Sequence, residues 1–126
     1  MANILMCRWT AAAAAGAAGI AALHFGPTVA AAAEPAYAGT WGIDAAQCKV
    51  PQDRQGAPMI VTAKGYDQHE AHCTFTSVKR SGQGWAVAAE CSVESDKQKD
   101  AFTLSVVGDT LTIAHGKQKQ KLKRCR

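Results

Sequence analysis

The chain contains no run of about twenty strongly apolar residues, the length a membrane-crossing helix requires. It nevertheless opens on a long stretch without charge. Between Thr10 and Ala33 there is no Asp, Glu, Lys or Arg. The stretch is mostly alanine, with Ile20, Leu23, Phe25 and Val29, and it is interrupted by Gly16, Gly19, His24 and Pro27. Alanine is too weakly apolar for such a segment to reside stably in a bilayer. No Arg-Arg pair precedes it, which removes support for twin-arginine export. Cys7 stands before the apolar stretch, with Met6 in front of it, so a lipoprotein signal does not fit. What remains is the three-part plan of a secretory leader: Arg8, an apolar middle, and Ala31-Ala32-Ala33 as small residues for a signal peptidase. The expectation is a leader over residues 1–33, one domain over residues 34–126, and a periplasmic or secreted location with no transmembrane segment left after cleavage.

The same domain lacks internal repeats and linkers, and helical periodicity is missing after residue 50. It also lacks the usual marks of catalysis. Neither Gly-x-Ser-x-Gly nor a glycine loop to cradle phosphate occurs, so no nucleophilic or phosphoryl-transfer centre is recognisable. His-Glu-x-x-His is absent as well, since His69-Glu70-Ala71-His72 is one residue short. On a strand, His69 and His72 would point to opposite faces, which argues against a shared metal. No enzyme activity, metal or cofactor is expected.

What the domain does contain is a period of two. Trp85, Val87, Ala89, Cys91 and Val93 alternate with residues such as Glu90 and Ser92. Phe102, Leu104 and Val106 alternate with Thr103 and Ser105, and Leu111 and Ile113 with Thr110 and Thr112. Such one-sided alternation suits half-buried antiparallel strands. Gly108-Asp109 separates two of these runs by two residues, a strong hairpin signal. Ser81–Gly84, Gly65–Asp67 and Ser95–Gln98 read as further turns. Tyr37–Ile43 reads as the first strand, after which Asp44 can cap a short helical turn ending at Cys48. The predicted fold is all-β: a small antiparallel meander barrel or curled sheet of six to seven strands with two disulfides.

Beyond Cys7 there are four cysteines, Cys48, Cys73, Cys91 and Cys125, an even number that suits an oxidising compartment. A domain of this size buries only roughly 60–65% of its unfolded surface, and small exported domains often add disulfides to a thin core. Four cysteines allow three connectivities. Cys73 and Cys91 share the apolar parity of two strands joined by the turn at Ser81–Gly84, which favours their pairing. Cys48 and Cys125 would then fasten the start of the domain to its end. Trp41 and Trp85 also fall on apolar parity and are expected in the core.

Two polar features stand out as candidate binding residues. One is the cluster Tyr66, Asp67, His69 and His72, read as a polar turn leading into a strand; Asp67 and His69 share a parity and could form an acid–base pair. The other is the C-terminus. From Glu34 to Gly116 there are seven Lys/Arg and ten Asp/Glu, whereas Lys117–Arg126 holds six basic residues and no acid. Lys117, Lys119, Lys121 and Lys123 alternate, so a strand would present them in one row. Such a row either protects a sheet edge against strand addition or faces an anionic partner. The partner expected is a protein or an anionic envelope polymer rather than nucleic acid, bound by a monomer.

Gly39-Thr40-Trp41, at the opening of the first strand, resembles the calycin signature, in which the tryptophan closes one end of a small barrel. Ala38–Cys48 is similar to the start of the bacterial periplasmic metalloprotease inhibitors, which implies a non-enzymatic inhibitor of a hydrolase. The chain departs from those inhibitors in having four cysteines where they have two, and their later glycine-centred segments are missing. The Ser-Gly-x-x-Tyr loop of periplasmic lysozyme inhibitors is not matched either, because Ser81-Gly82 is followed by Gln-Gly-Trp. As a whole, the four-cysteine framework resembles small secreted proteins of alphaproteobacterial type, a resemblance that implies a location and no activity.

Overall fold

The computed structural model describes residues 26–126. The predicted leader lies mostly outside the described residues. The chain divides into two units, Met1–Ala31 and Ala32–Arg126, and the architecture below concerns the second.

Eight antiparallel strands form a closed barrel in sequence order. They are β1 (Gly39–Gly42), β2 (Met59–Thr62), β3 (Gly65–Gln68), β4 (Ala71–Ser81), β5 (Gly84–Val93), β6 (Asp96–Val107), β7 (Thr110–His115) and β8 (Gln118–Arg124). The all-β meander is as predicted, with one strand more. The added strand is β3, where the sequence suggested a turn. Gly65-Tyr66-Asp67-Gln68 has no apolar alternation, yet it pairs on both sides, with Ile60–Thr62 and with Ala71–Thr74. The expected turn at Ser95–Gln98 is also shorter, because β6 begins at Asp96 and pairs at once with Val93. The first strand is narrower than Tyr37–Ile43, and Tyr37 instead drops into the core.

From β2 to β8 every connection is a two-residue turn. Three of them place glycine first, Gly82, Gly108 and Gly116, each at a φ of 57° or 58°, the backbone that a tight hairpin demands of its first residue. The long connection from β1 to β2 carries a single 3-10 turn, Gln47–Lys49. Asp44 Oδ1 accepts the Gln47 N–H at 2.7 Å at its start, as predicted for this aspartate.

The barrel interior is filled. Trp41, Leu104 and Leu111 are the largest fully buried side chains, joined by Met59, Val61, Val87, Phe102, Ile113 and Leu122. A chain of edge-to-face aromatic contacts runs through it: Trp85 to Tyr37 at 4.9 Å, Tyr37 to Phe75 at 6.3 Å, and Phe75 to Phe102 at 5.9 Å. Trp85 sits at the rim, only partly buried, with the Arg80 guanidinium 4.7 Å above its ring. Cys73 pairs with Cys91 across β4 and β5, and Cys48 with Cys125, with Cα separations of 4.0 and 5.5 Å. This is the connectivity favoured from strand parity.

Candidate binding face

Residues directly opposite across an antiparallel pair lie on the same face of the sheet. The outer face can therefore be read from the register. Lys119 lies opposite Ala114 and Thr103 in turn, Lys121 opposite Thr112 and Ser105, and Lys123 opposite Thr110 and Val107. These lysines are exposed, while Leu122 between them is buried. They stand roughly 7 Å apart along β8. Lys123 Nζ donates to Thr110 Oγ1 at 2.8 Å. Lys117 is not on the strand; it occupies the second position of the turn between β7 and β8. The row is thus three lysines on a strand with a fourth at its leading turn.

Edge protection survives only in part, because β8 is no longer a sheet edge at its end. Lys123 and Arg124 pair with Gly42 and Trp41, and the Cys125 N–H donates to the Thr40 carbonyl at 2.8 Å. The stretch Gln118–Leu122 keeps β7 alone as its ladder neighbour. There the lysines still discourage strand addition.

The pleat extends the basic face beyond what the sequence suggested. Asp96-Lys97-Gln98-Lys99-Asp100 reads as a mixed, nearly neutral segment. In β6 it is a strand, with Lys97 opposite Ser92 and Lys99 opposite Glu90 on the outer side. Asp96 and Asp100 take the other side, opposite Val93 and the buried Ala89. The outer faces of β6, β7 and β8 consequently carry Lys97, Lys99, Lys119, Lys121 and Lys123, with small and hydroxyl residues between them and no carboxylate. Asp109, in the turn joining β6 to β7, is engaged by the Arg126 guanidinium.

The structure disperses the other predicted cluster. Tyr66 faces inward from β3 and packs edge-on against Phe75 and Phe102 at 6.4 and 6.3 Å. Burial, together with the nearby Asp100 charge, pushes its hydroxyl above the ordinary tyrosine range. Asp67 and His72 lie opposite each other on the outer face of β3 and β4, with Asp67 Oδ1 2.6 Å from His72 Nδ1. The acid–base partner of Asp67 is therefore His72 and not His69. Parity along one strand was the wrong guide, because a chain reversal intervenes and opposition across the hairpin decides the contact. His69 occupies that reversal at a φ of 46°, its Nε2 3.9 Å from Glu70.

A second pair was missed entirely. Asp100 Oδ2 lies 3.0 Å from His115 Nε2, with the His115 ring 5.3 Å from that of Phe102. The two residues are fifteen positions apart, and only the register of β6 against β7 brings them together. No family model matches the chain, and comparison with curated proteins and with solved structures returned no match.

Around His72 the outer sheet surface forms a groove of about 550 Å³ over β4, β5 and β6. Its polar lining is Gln98 together with the outward-facing His72, Thr74, Glu90, Ser92, Lys97 and Lys99. Lys97 and Lys99 line the groove and also belong to the basic outer face that continues across β7 to the lysine row on β8, so a single extended ligand could touch both. Among the described residues no group of three or more His, Cys, Asp or Glu side chains is arranged to hold a metal ion.

Proposed function

We propose that this protein is an exported, non-enzymatic binding protein that recognises an anionic polymer of the cell envelope. The observation that carries this reading is the sorting of charge by the pleat. Five lysines share the outer faces of β6 and β8, while the acids of β6 take the opposite side. Cations repeated at the two-residue spacing within each strand suit a ligand with regularly spaced anions, and the intervening threonines and serines add hydroxyl groups. The barrel core is filled by side chains, which leaves the outside to do the recognising. Export is supported by the leader-like N-terminal sequence and by two disulfides, which persist in oxidising compartments. Among the described residues no helix is long and apolar enough to cross a membrane.

A second reading, inhibition of a hydrolase, has its own support. Trp41 is fully buried near the start of the barrel, with the Arg124 guanidinium of the last strand 4.1 Å from its ring and its Nε1 donating to the Tyr37 carbonyl at 2.9 Å. That arrangement suits a tryptophan that closes one end of a barrel, the role the calycin resemblance implies for Gly39-Thr40-Trp41. The two readings part in a binding experiment with an anionic polysaccharide at low and physiological salt. The triple variant Lys119→Gln, Lys121→Gln, Lys123→Gln should keep its melting temperature, since exposed charges contribute only about 0–1 kcal/mol each. It should bind the polymer at least about tenfold more weakly, with less salt dependence. Failure of the wild type to bind anionic polysaccharide would overturn the first reading, and equal binding by variant and wild type would remove the β8 row from it. Salt-tolerant 1:1 inhibition of a protease or lysozyme would establish the second.

A further inference from the structure

The groove over β4, β5 and β6 is not a simple anion site. Two rows of directly opposed residues form its floor: His72, Ser92 and Lys97 in one, and Thr74, Glu90 and Lys99 in the other. Three strands span about 10 Å and the two rows stand about 7 Å apart. With a volume of about 550 Å³, this is room for one or two sugar rings, within the size of ordinary small-ligand sites.

The chemistry of the lining is mixed in a way that restricts the ligand. Lys97 and Lys99 offer two ammonium groups for an anion. His72 is held through Nδ1 by Asp67, which leaves Nε2 as the ring nitrogen free for a ligand. Thr74 and Ser92 supply hydroxyls. Glu90 is the discriminating group. A carboxylate beside two lysines repels a ligand that is anionic throughout, such as polyphosphate, yet it accepts hydrogen bonds from a ligand that carries hydroxyls next to its negative charge. Hydrogen bonds to ionised groups are among the stronger ones.

We infer that this groove binds an acidic saccharide unit, its carboxylate at Lys97 and Lys99 and its hydroxyls at Glu90, Thr74 and Ser92. This rests on the polymer-binding reading and deepens it: the lysine row on β8 would hold the rest of the chain, and the groove would read the sugar. Lys119 lies roughly 16 Å from Lys99, two strands across and four residues along, which is farther than a disaccharide reaches.

That separation sets the test. Digalacturonate and tripolyphosphate are titrated into the purified protein and followed by amide NMR, alongside Glu90→Gln and a Thr74→Val, Ser92→Ala double variant. Polygalacturonate binding to the β8 triple variant is measured in parallel. Digalacturonate should shift amides around His72, Thr74, Glu90, Ser92, Lys97 and Lys99 saturably. Glu90→Gln should weaken it about tenfold, the loss of a charged hydrogen bond, while tripolyphosphate binds no worse or better. The double variant should weaken digalacturonate as well. Shifts confined to β8, or equal effects of Glu90→Gln on both probes, would overturn the groove assignment and leave the lysine-row reading standing. Groove binding of digalacturonate with polymer affinity unchanged in the β8 variant would uphold the groove and overturn the row. Binding of neither sugar probe would overturn both.

Discussion

Gly84 shows how little space single residues have in this barrel. A Cβ there would run into the Leu104 carbonyl, and one at Gly65 into the Cys73 carbonyl. Both obstacles are backbone, which cannot swing aside. Gly84→Ala should therefore destabilise the domain by about 3 kcal/mol, a fall in Tm of about 10–20 °C. Gly82→Ala meets no neighbour and suffers only from its φ of 58°, so it should cost about 1 kcal/mol. Tyr66 gives a pH signature. Its hydroxyl pKa is raised in the folded state by burial and by Asp100. The folded protein thus holds a proton that the unfolded chain releases above about pH 10. The stabilisation is complete below that value and is lost as pH rises through the higher folded-state pKa. Tm should be level from neutral pH to about 9 and drop beyond 10, and Tyr66→Phe should flatten part of that drop in a pH series of thermal melts.

At the scale of elements, the hairpins divide into relaxed and strained. The turns led by Gly82, Gly108 and Gly116 adopt positive φ without a Cβ to oppose it. The turn from β5 to β6 is Glu94-Ser95, with φ of 48° and 76° at two residues that carry side chains. Positive φ at both positions is the pattern for which Asn-Gly is preferred. Glu94→Asn with Ser95→Gly should accordingly raise stability by about 1 kcal/mol, read as a higher denaturation midpoint at an unchanged m-value. The bulge in β4 has the opposite character, because it is useful. Register slips between Phe75 and Ser77, and Thr76 turns its Oγ1 to the Ala88 carbonyl at 3.2 Å. Beyond it Val78 and Arg80 take the side of Val87 and Trp85, which puts the guanidinium over the Trp85 ring.

For the molecule as a whole, closure depends on a narrow seam. The ladder between β1 and β8 consists of Trp41 with Arg124 and Gly42 with Lys123. Around it, Arg124 donates to the carbonyls of Ala36 and Ala38 at 2.9 and 3.0 Å, and the Cys48–Cys125 bond ties the β1–β2 connection to the C-terminus across 77 positions. A crosslink over so long a loop removes much of the freedom of the unfolded chain, and loss of a native disulfide in a small secreted domain costs about 2–5 kcal/mol. Cys48→Ser with Cys125→Ser should lower Tm clearly while leaving the Cys73–Cys91 bond intact in a peptide map. Because that seam adjoins the end of the lysine row, the double variant should also loosen Lys123. Amide exchange ought to rise first in β1 and late β8 and last in β5 and β6.

The elements that the sequence determined are those in which each strand announces itself. Alternation in Trp85–Val93, Phe102–Val106 and Leu111–Ile113 places core and surface because the side-chain period of a strand is two, and glycine marks turns because only it is unstrained at positive φ. The same parity argument was enough for Cys73 and Cys91, since both belong to one hairpin. What the tertiary structure alone decided was whatever depends on opposition between strands. It recruited Gly65–Gln68 as β3 despite its polar content, since pairing on both sides outweighs weak local preference. It matched Asp67 with His72 and Asp100 with His115. It also sorted Asp96–Asp100 into basic and acidic sides, a division present in the letters but meaningless until the segment was known to be a strand. Register is a property of two strands at once, and one strand's sequence holds only half of it.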